Sequence, residues 1–440
     1  MWIHCLAGMR KNKVDIITLG CSKNLVDSEK LMRQFQLNGY LVAHDSDKVD
    51  GEIVVVNTCA FIGDAQEESI NMILALEEEK KKGRIGRLFV MGCLSERFFK
   101  ELKKEIPHVD KFYGKFNWKE LISDIGKSYY QEHAADRVLT TPSHYAYLKI
   151  AEGCNRTCAF CSIPMITGKH QSRPMEEILS EVRLLTDKGV KELQLVAQDL
   201  TYYGLDIYRQ SALPELVERI ADIQGVEWIR LHYGYPTNFP YDLLRVMRER
   251  DNVCNYLDIA LQHISDPILK RMRRNISKQE TCELIERIRT EVPDIHLRTT
   301  MIVGFPDETE QDFEELISFV KDMRFERLGA FAYSHELGTY AYKHYKDTVP
   351  DEIKQERLDY LMHVQEKISS ELNEQKVGKI VRTIIDCCEE DYYIGRTEFD
   401  SPEIDHEVLI SKELPLIQGQ FYNVKIDTFE SFELIGKVLL

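Results

Sequence analysis

Cys154-Asn-Arg-Thr-Cys158-Ala-Phe-Cys161 brings three thiols into eight consecutive residues, and this stretch predicts both the chemistry and the fold around it. Four-iron clusters usually take four cysteine ligands, so a set of three leaves one iron open to a substrate or cofactor. A zinc knuckle is the alternative interpretation, and it requires a fourth ligand, for which His170 is the only nearby candidate. We favour a four-iron cluster on Cys154, Cys158 and Cys161.

The composition describes an ordinary soluble globular protein of roughly three domains. The chain has 440 residues, of which 43% are hydrophobic and 30% are charged. No apolar stretch approaches the roughly 18 residues that a membrane-spanning helix needs, so we expect no membrane association. Eleven cysteines in a large chain without a recognisable secretion signal favour metal ligation over disulfides, which predicts a cytoplasmic protein.

The net charge of −16 constrains the partners. A protein that binds nucleic acid normally carries a basic face that neutralises phosphates, so an acidic chain matches an RNA substrate poorly. An acidic chain instead favours a basic protein partner. The charge therefore makes tRNA the less favoured partner.

Residues 1–132 are predicted to form a doubly wound parallel α/β domain. Continuous apolar runs at 14–19, 52–57, 87–91 and 111–113 are typical of buried strands, and helical spacing follows each of them. The first helix is expected to begin with Ser28 as its N-cap and to reach Leu37. The polar stretch 133–143 is predicted to be a linker.

Residues 144–376 start the strand–helix alternation again. Cys154 follows the first strand of this region, at the carboxyl edge where (β/α) barrels place their chemistry. Short alternating strands in residues 377–440 predict a small antiparallel β-barrel. The six apolar strands of the central region predict a partial (β/α)6 barrel, and they lie at 145–151, 192–197, 227–231, 256–261, 296–303 and 328–333.

The carboxyl-terminal region is acidic. From Gly378 to Leu440 it contains 13 acidic and 6 basic residues. Between Asp386 and Glu407 there are nine acids and a single base, Arg396. We interpret this region as a surface that suits a basic protein, because a barrel that binds RNA should be basic.

A second set of cysteines follows the strands predicted for the first domain. Cys21, Cys59 and Cys93 each lie two residues past an apolar run. Parallel strands align their carboxyl ends along one edge, which is where open α/β sheets bind ligands. A single such cysteine would be interpreted as a small buried residue, but three at equivalent positions favour a second cluster with an open iron. The remaining cysteines are expected to be structural: Cys5, Cys254, Cys282, Cys387 and Cys388.

Together these motifs resemble the methylthiotransferases, radical S-adenosylmethionine (SAM) enzymes with an amino-terminal three-cysteine domain, a central SAM domain and a carboxyl-terminal TRAM barrel. The resemblance covers almost the whole chain. It implies two 4Fe–4S clusters, one on each cysteine set. It also implies that SAM is bound, and cleaved to a 5′-deoxyadenosyl radical, at the cluster on Cys154, Cys158 and Cys161. The matching stretches besides the Cys154 loop are Leu-Gly-Cys-Ser-Lys-Asn at 19–24, Asn-Thr-Cys-Ala-Phe at 57–61 and Met-Gly-Cys-Leu at 91–94.

Four residues correspond in this resemblance to positions that contact SAM. Phe160 belongs to the cysteine motif, Gln198 and Asp199 end the second barrel strand, and Gly304 opens a glycine motif after the fifth strand. For Gln198 and Asp199 the alternative is a solvated pair at a strand end. For Gly304 the alternative is a turn before a helix capped by Thr309.

Within the family, the chain resembles the branch that modifies a ribosomal protein. Ser22-Lys-Asn24 stands where the tRNA branch typically has Gln-Met-Asn, and Ile394-Gly-Arg-Thr leading into Asp400-Ser-Pro-Glu-Ile-Asp also matches. One departure is Ile166-Thr-Gly168, where the family commonly has arginine before the glycine.

This branch implies a specific reaction and specific partners. The reaction is addition of a methylthio group to the β-carbon of an aspartate on the decoding-site protein of the small ribosomal subunit. That protein is strongly basic and would meet the acidic barrel, and an electron donor is a further partner. The alternative is a tRNA adenosine methylthiotransferase.

Overall fold

The structure is a computed structural model that describes residues 9–439, and this part of the chain forms two compact units. Unit 1 comprises residues 9–140, 152–155 and 162–171, and unit 2 comprises residues 141–151, 156–161 and 172–439. The domain boundaries expected after residues 132, 143 and 376 stay predictions. Cys5, expected to be structural, lies outside the described residues.

Unit 1 is built on a parallel sheet with connecting helices. Its strands are β1 (Arg10–Thr18), β2 (Leu41–His44), β3 (Gly51–Thr58), β4 (Arg87–Gly92) and β5 (Lys111–Phe112). Its helices are α1 (Ser22–Leu37), α2 (Gly63–Lys81), α3 (Cys93–Arg97), α4 (Phe99–Glu105), α5 (Trp118–Asp124) and α6 (Ile163–Thr167). All neighbouring strands are parallel, in the order β2-β1-β3-β4-β5, which confirms the predicted α/β fold. The sequence prediction omits β2, whose four residues are partly exposed.

Helix α1 begins earlier than the sequence predicts. It starts at Ser22 with Cys21 as its N-cap, so the expected N-cap at Ser28 is wrong. The buried Ser28 hydroxyl accepts hydrogen bonds from Asn57 Nδ2 at 3.0 Å and from Thr18 Oγ1 at 2.7 Å. Ser28 therefore joins the helix to the strand ends, and Cys21 occupies the helix terminus.

Both faces of the unit 1 sheet are buried, which explains its continuous apolar strands. Along β3, Val54 and Val56 pack into a core that includes residues of α2. Ile53 and Val55 point to the opposite face and pack into a core that includes residues of α1. The strand ends are therefore held from both sides.

Unit 2 contains a six-stranded open sheet. Its strands are β6 (Tyr145–Lys149), β9 (Glu192–Val196), β10 (Trp228–Gly234), β11 (Val253–Ile259), β12 (His296–Val303) and β13 (Arg327–Ala332), and two short strands where the chain passes between units are β7 (Ala151–Glu152) and β8 (Gln171–Ser172). The six strands are parallel, in the order β13-β12-β11-β10-β9-β6, which confirms the predicted partial barrel.

The helices of unit 2 lie between the strands of this sheet, or after them, in chain order. They are α7 (Met175–Asp187), α8 (Leu213–Ala221), α9 (Asp242–Glu249), α10 (Asp266–Arg271), α11 (Lys278–Glu291), α12 (Glu310–Met323), α13 (Tyr340–His344) and α14 (Asp351–Glu374). Across residues 9–439, no helix combines the length and the apolar character that crossing a bilayer requires.

Residues 380–438 form a closed barrel of five strands, which confirms the predicted small barrel. The strands are β14 (Ile380–Cys388), β15 (Tyr392–Thr397), β16 (Glu407–Ser411), β17 (Phe421–Phe429) and β18 (Glu433–Val438). Four neighbouring pairs are antiparallel, whereas β16 and β18 are parallel.

A layer of buried ion pairs joins this barrel to the six-stranded sheet. Glu192, the first residue of β9, accepts hydrogen bonds from Arg230 of β10 at 2.9 Å and from Arg396 of β15 at 2.8 Å. These three side chains are at most 2% exposed. We call this layer the seam, and it comprises Glu192, Arg230, Arg298, Arg327, Asp386, Arg396, Asp400 and Asp405.

Some acidic residues that the sequence suggests are on the surface belong to the seam. Asp386 pairs with Arg396, Asp400 with Arg327, and Asp405 with Arg298. The Asp400 and Asp405 side chains are 2% and 3% exposed. Three of the nine acids between Asp386 and Glu407 therefore neutralise arginines inside unit 2 and do not face a partner.

Candidate functional site

Three cysteines lie at the carboxyl ends of three adjacent strands in unit 1. Cys21 follows β1 as the N-cap of α1, Cys59 follows β3, and Cys93 follows β4 as the first residue of α3. Strands β1, β3 and β4 are neighbours in the sheet, so their ends meet at one edge. We call these cysteines the strand-end set.

Glycine at position 20 makes the close approach of two of these strand ends possible. A Cβ atom at Gly20 would lie 2.7 Å from Cys59 Sγ, well inside contact distance. Gly20 also has φ 88°, in the left-handed region that favours glycine. Any other residue at position 20 would displace Cys59.

Two buried amide side chains connect the strand ends. Asn24 Nδ2 donates hydrogen bonds to the carbonyl oxygens of Leu19 and Thr58, each at 3.0 Å. Asn57 Nδ2 donates to the Asn24 carbonyl oxygen at 2.9 Å. Cys93 Sγ lies 3.7 Å from Asn24 Oδ1. Asn24 thus links two strand ends and contacts the thiol that follows the third.

The three thiols differ in how easily they ionise. Burial opposes ionisation of Cys21, but the charges of Lys23 and Lys115 hold the pKa of its thiol below the ordinary value. Burial raises the pKa of Cys59, and it raises the pKa of Cys93 to about 12. The charges of Cys21 and Cys59 also raise the pKa of Cys93, so the three groups lie within electrostatic range of one another.

A buried lysine lies against the strand-end set. Lys115 Nζ is 3.9 Å from Cys93 Sγ and 3.2 Å from Glu152 Oε1, and the lysine side chain is 3% exposed. A cation beside a cysteine favours the thiolate, which is the form that binds metals. The charge of Lys115 is itself balanced by the Glu152 carboxylate.

The other three cysteines predicted to bind a cluster lie on the loop that follows β6 and β7. We call Cys154, Cys158 and Cys161 the loop set, and each is half-buried. Cys154 belongs to unit 1, whereas Cys158 and Cys161 belong to unit 2. Between the latter two, Ala159 N donates to the Met272 carbonyl oxygen at 2.9 Å, and the Ala159 carbonyl oxygen accepts from Ala341 N at 2.7 Å. Hydrogen bonds on both sides of Ala159 thus fix this part of the loop.

Two side chains of unit 2 contact the sulfur of Cys158. Arg274 Nη1 donates to Cys158 Sγ at 3.3 Å, and the Tyr235 hydroxyl oxygen lies 3.6 Å from the same sulfur. The guanidinium carbons of Arg274 and Arg156 lie 4.1 Å and 4.0 Å from the centre of the Tyr235 ring, which is cation–π distance.

Sequence reasoning missed Arg274, Tyr235 and Lys115. Tyr235 directly follows β10, so its position at a strand end was an available signal. Arg274 lies just past α10 in a basic stretch that is typical of a solvated helix end, and nothing in the sequence marks it as buried. Lys115 also carries no signal, because its burial depends on tertiary packing.

Asp199, predicted to contact SAM, is buried and already has partners in the protein. It is 2% exposed, and its carboxylate accepts hydrogen bonds from Arg156 Nε at 2.7 Å and from Thr201 N at 3.0 Å. The alternative of a solvated strand-end residue is therefore wrong for Asp199, which orients Arg156 beside Tyr235. Gln198, its neighbour after β9, is half-buried.

The other two residues predicted to contact SAM lie in packed surroundings. Phe160 packs against a buried cluster that includes Phe305. Gly304 has φ 74°, and a Cβ atom there would lie 2.3 Å from Lys354 Cγ. Thr309 caps α12, as the alternative interpretation of this segment expects. Packing alone explains a glycine at 304, so its contact with SAM stays a prediction.

The remaining described cysteines lie away from both sets in the sequence. Cys254 is buried in a cluster with Trp228 and Tyr256, in keeping with a structural role. Cys282 is half-buried, and Cys387 and Cys388 are exposed, so packing does not explain the latter two.

The donor chemistry of both sets fits iron–sulfur ligation. Within residues 9–439, no three cysteine, histidine or carboxylate side chains converge closely enough to bind one metal ion. A four-iron cluster makes a different demand, because each cysteine binds a different iron atom. Three thiols lie at one sheet edge beside Lys115, and a thiol of the loop set accepts a hydrogen bond from Arg274. Such cations suit an anionic cluster.

Three family models match the chain. The radical SAM superfamily matches residues 148–320, the uncharacterized protein family UPF0004 matches residues 13–114, and the TRAM domain matches residues 377–439. These ranges contain the loop set, the strand-end set and the closed barrel, respectively.

Curated relatives match almost the entire chain. The ribosomal protein uS12 methylthiotransferase RimO of Parabacteroides distasonis is 74% identical over 431 residues, which cover 98% of this chain and 100% of the relative. Proteins of the same name from Porphyromonas gingivalis and Phocaeicola vulgatus are 64% and 63% identical, again over 98% of this chain and 100% of each relative.

Solved structures share the fold at low sequence identity. The radical SAM methyltransferase TsrM from Kitasatospora setae, with cobalamin and a 4Fe–4S cluster bound, matches with a TM-score of 0.55 and 12% identity over 73% of this chain and 75% of that chain. The cobalamin-dependent SAM radical enzyme OxsB matches with a TM-score of 0.51 and 13% identity over 81% of this chain and 56% of that chain.

Proposed function

The chain belongs to the radical SAM methylthiotransferase family whose curated members are named RimO, and on this premise we propose that it adds a methylthio group to ribosomal protein uS12. The observation that carries the proposal is the presence of two separate three-cysteine sets, one at strand ends and one on a loop. The names of the relatives favour uS12 over the tRNA alternative. We propose the β-carbon of an aspartate as the modified atom, as the family resemblance implies.

In this proposal each cysteine set holds a 4Fe–4S cluster with one open iron, and SAM binds at the loop set. When bound, these groups supply a radical that breaks an unactivated C–H bond and a sulfur that replaces the hydrogen, which acid–base side chains cannot do. Phe160, Gln198, Asp199 and Gly304 would line the SAM site.

The protein's own residues shape both sites. Gly20 leaves room for the Cys59 side chain, and Asn24 holds two strand ends together. Lys115 and Arg274 place positive charge at sulfur atoms. Asp199 fixes Arg156 against the Tyr235 ring.

The partner surface of the TRAM barrel is proposed to be the turn between β14 and β15. Glu389, Glu390 and Asp391 form this turn and are exposed, unlike Asp400 in the seam. A basic uS12 would be attracted to these charges. The electron is proposed to come from a separate donor protein, and the site of action to be the cytoplasm, where ribosomal proteins are available.

The direct test is mass spectrometry of uS12 after incubation with the anaerobically reconstituted enzyme, SAM, a sulfur source and dithionite. A methylthio mass increment on an aspartate-containing peptide is expected, with tRNA as the parallel substrate. Transfer to tRNA alone would reject the proposal. Release of 5′-deoxyadenosine that is absent in Cys158→Ala would exclude a non-catalytic iron–sulfur scaffold.

The two-cluster assignment is tested by iron content. Reconstitution should give about eight irons per chain, and replacing Cys21, Cys59 and Cys93 by alanine should leave about four. Gly20→Ala should also lose about four, because its methyl group would overlap Cys59. The matched control is Gly39→Ala, where φ is 82° but no atom lies within 4 Å of the added methyl. About eight irons in Gly20→Ala would contradict the assignment.

The docking surface is tested by charge reversal. The triple variant E389K/E390K/D391K should weaken binding of uS12 at low salt, and the loss should shrink as salt increases. The control E177K/D187K/E215K changes three exposed acids on α7 and α8 by the same total charge. Equal losses in the two variants would show a general charge effect and reject the surface.

A further inference from the structure

Arg274 is a buried cation without a carboxylate partner. Arg274 is 3% exposed, and among residues 9–439 no aspartate or glutamate forms an ion pair with it. Its Nη1 donates to Cys158 Sγ, its Nη2 donates to the Ala260 carbonyl oxygen, and its Nε is buried without a hydrogen-bond acceptor. An unpaired buried charge costs several kcal/mol, so this arrangement calls for an explanation.

Other buried arginines of the protein do have carboxylates. Arg137 pairs with Glu29 at 2.6 Å in unit 1. In unit 2, Arg230 pairs with Glu192 at 2.9 Å and Arg357 pairs with Glu308 at 2.8 Å. These buried arginines are therefore each paired with a carboxylate. Arg274 differs from them, and the sulfur that it contacts belongs to a proposed cluster ligand.

The residues on either side of Arg274 have an uncommon backbone conformation. Its two neighbours, Arg273 and Asn275, have φ 57° and 53°, a conformation that non-glycine residues rarely adopt. Just before this turn, the Met272 carbonyl oxygen accepts the hydrogen bond from Ala159 N of the cysteine loop. Strained backbone of this kind persists where the surrounding structure imposes it, typically near functional sites.

The contact with sulfur does not depend on the protonation state of Cys158. The Tyr235 hydroxyl donates to the Arg274 carbonyl oxygen at 3.1 Å, so its contact with the thiol uses the cysteine as donor. A cysteine that binds iron has lost its proton and cannot donate. Arg274 Nη1 is an obligate donor and keeps its hydrogen bond to the sulfur.

We infer that Arg274 is a positioning residue that raises the reduction potential of the cluster held by Cys154, Cys158 and Cys161. This inference rests on the proposed function, because it needs a cluster at the loop set. Three thiolates make the cluster anionic, and reduction adds one more negative charge. A guanidinium beside a ligand sulfur stabilises the reduced form more than the oxidised form, since hydrogen bonds and charge at the sulfurs set the potential.

The test is a redox titration of the loop cluster by electron paramagnetic resonance. The full-length chain with Cys21, Cys59 and Cys93 replaced by alanine serves as the parent, because only the loop cluster remains. In Arg274→Gln we expect the ratio of reduced to oxidised cluster at a fixed potential to fall about tenfold, which corresponds to about 59 mV. Arg274→Lys keeps the charge and should show a smaller fall.

The matched control is Arg273→Gln. Arg273 precedes Arg274 in the same turn and lies 4.4 Å from the Tyr340 ring centre, with no contact to Cys158. The reduction potential of the loop cluster in Arg273→Gln should equal that in the parent. A purely structural role for Arg274 would lower the unfolding temperature without moving the potential, so thermal unfolding is followed for each variant.

The outcomes separate this inference from the proposed function. If the parent takes up no cluster, the proposed function and the inference both fail. If the parent takes up about four irons and Arg274→Gln has the same potential, the inference alone fails. If Arg274→Gln loses its iron, the potential of Arg274→Lys is compared with that of the parent instead. An unchanged potential in Arg274→Lys would then reject the inference alone. Loss of iron from both variants would assign Arg274 to cluster assembly and overturn its role in setting the potential.

Discussion

Buried arginines are paired with carboxylates in the seam but not beside Cys158, although the seam and Cys158 both lie in unit 2. In the seam, each arginine contacts a carboxylate, and Glu192 is shared by Arg230 and Arg396. At the loop, Arg274 contacts a thiol, a carbonyl oxygen and an aromatic ring, but no carboxylate among the described residues. Every seam arginine therefore has a carboxylate partner, whereas Arg274 has none among the described residues.

This difference separates a structural use of buried charge from a functional one. A buried ion pair that is fully hydrogen-bonded fixes one arrangement of two domains, and removing one member leaves an uncompensated charge. A buried cation without a partner lowers stability and is retained where it serves another purpose. For Arg274 the purpose proposed above is an interaction with an anionic cluster. Three measurements test the comparison.

The largest effect is expected for Glu192→Gln. The substitution leaves Arg230 buried without a carboxylate and removes one of the two carboxylates that contact Arg396, so the free energy of unfolding should fall by about 3–5 kcal/mol. Urea unfolding of the protein without iron, followed by intrinsic fluorescence, measures the change.

Glu227→Gln is the control for this substitution. Glu227 pairs with Arg382 of the closed barrel at 2.7 Å, but both side chains are more than 40% exposed. Loss of such an exposed pair should cost less than about 1 kcal/mol. Equal losses in the two variants would mean that burial does not distinguish seam pairs from surface pairs.

A smaller effect is expected when the region around the seam gains a proton. His406 is buried, and burial together with the charges of Arg327 and Lys376 lowers the pKa of its imidazole to about 3. A lowered pKa means that His406 supports stability above its ordinary pKa of about 6.5, and that this support is lost as the pH falls toward 3. The loss between pH 8 and pH 5 should be about 2 kcal/mol.

His406→Asn removes the titrating group and keeps an acceptor for Asn373 Nδ2, which lies 3.3 Å from His406 Nδ1. Unfolding of both proteins at pH 8 and pH 5 gives the contribution of His406 by difference. A variant that loses as much stability as the wild type would assign the acid sensitivity to other groups.

The smallest effect is expected for Arg274→Met in the protein without iron. The substitution removes the cost of burying an unpaired charge, and it also removes two hydrogen bonds. Because these two effects oppose each other, the free energy of unfolding should change by no more than about 1 kcal/mol. Arg327→Met, which leaves Asp400 unpaired, should lose about 3–5 kcal/mol. A large loss in Arg274→Met would show that the arginine at the loop is structural, like those of the seam.

The parts of the fold that depend on chain order could be predicted from the sequence. Continuous apolar strands separated by helices indicated both parallel sheets, because each strand is buried on two faces. The positions of Cys21, Cys59 and Cys93 after strands predict their common edge, which the order of β1, β3 and β4 confirms. The cluster loop expected from the spacing of Cys154, Cys158 and Cys161 stays a prediction. These signals are local or follow from sheet geometry.

The parts that depend on tertiary neighbours could not be predicted. Asp400 and Glu389 look alike in the acidic carboxyl-terminal stretch, yet one pairs with Arg327 inside the seam and the other is exposed. Ser28 is a residue type that often caps a helix, but its hydroxyl instead accepts hydrogen bonds from Asn57 and Thr18. Arg274 lies in a basic stretch that suggests solvent exposure. In each case the deciding partner is distant in the chain.

The sharing of Glu192 between sheet and barrel has a consequence for how this protein can be recombined. In a chimaera with a foreign carboxyl-terminal domain, Glu192 would lose Arg396 and Arg327 would lose Asp400, unless the graft supplied equivalent side chains. Homologues that exchanged this domain would therefore have to exchange parts of the inner strands as well. Replacing the TRAM barrel of this chain alone would therefore leave buried charges of the sheet without their partners.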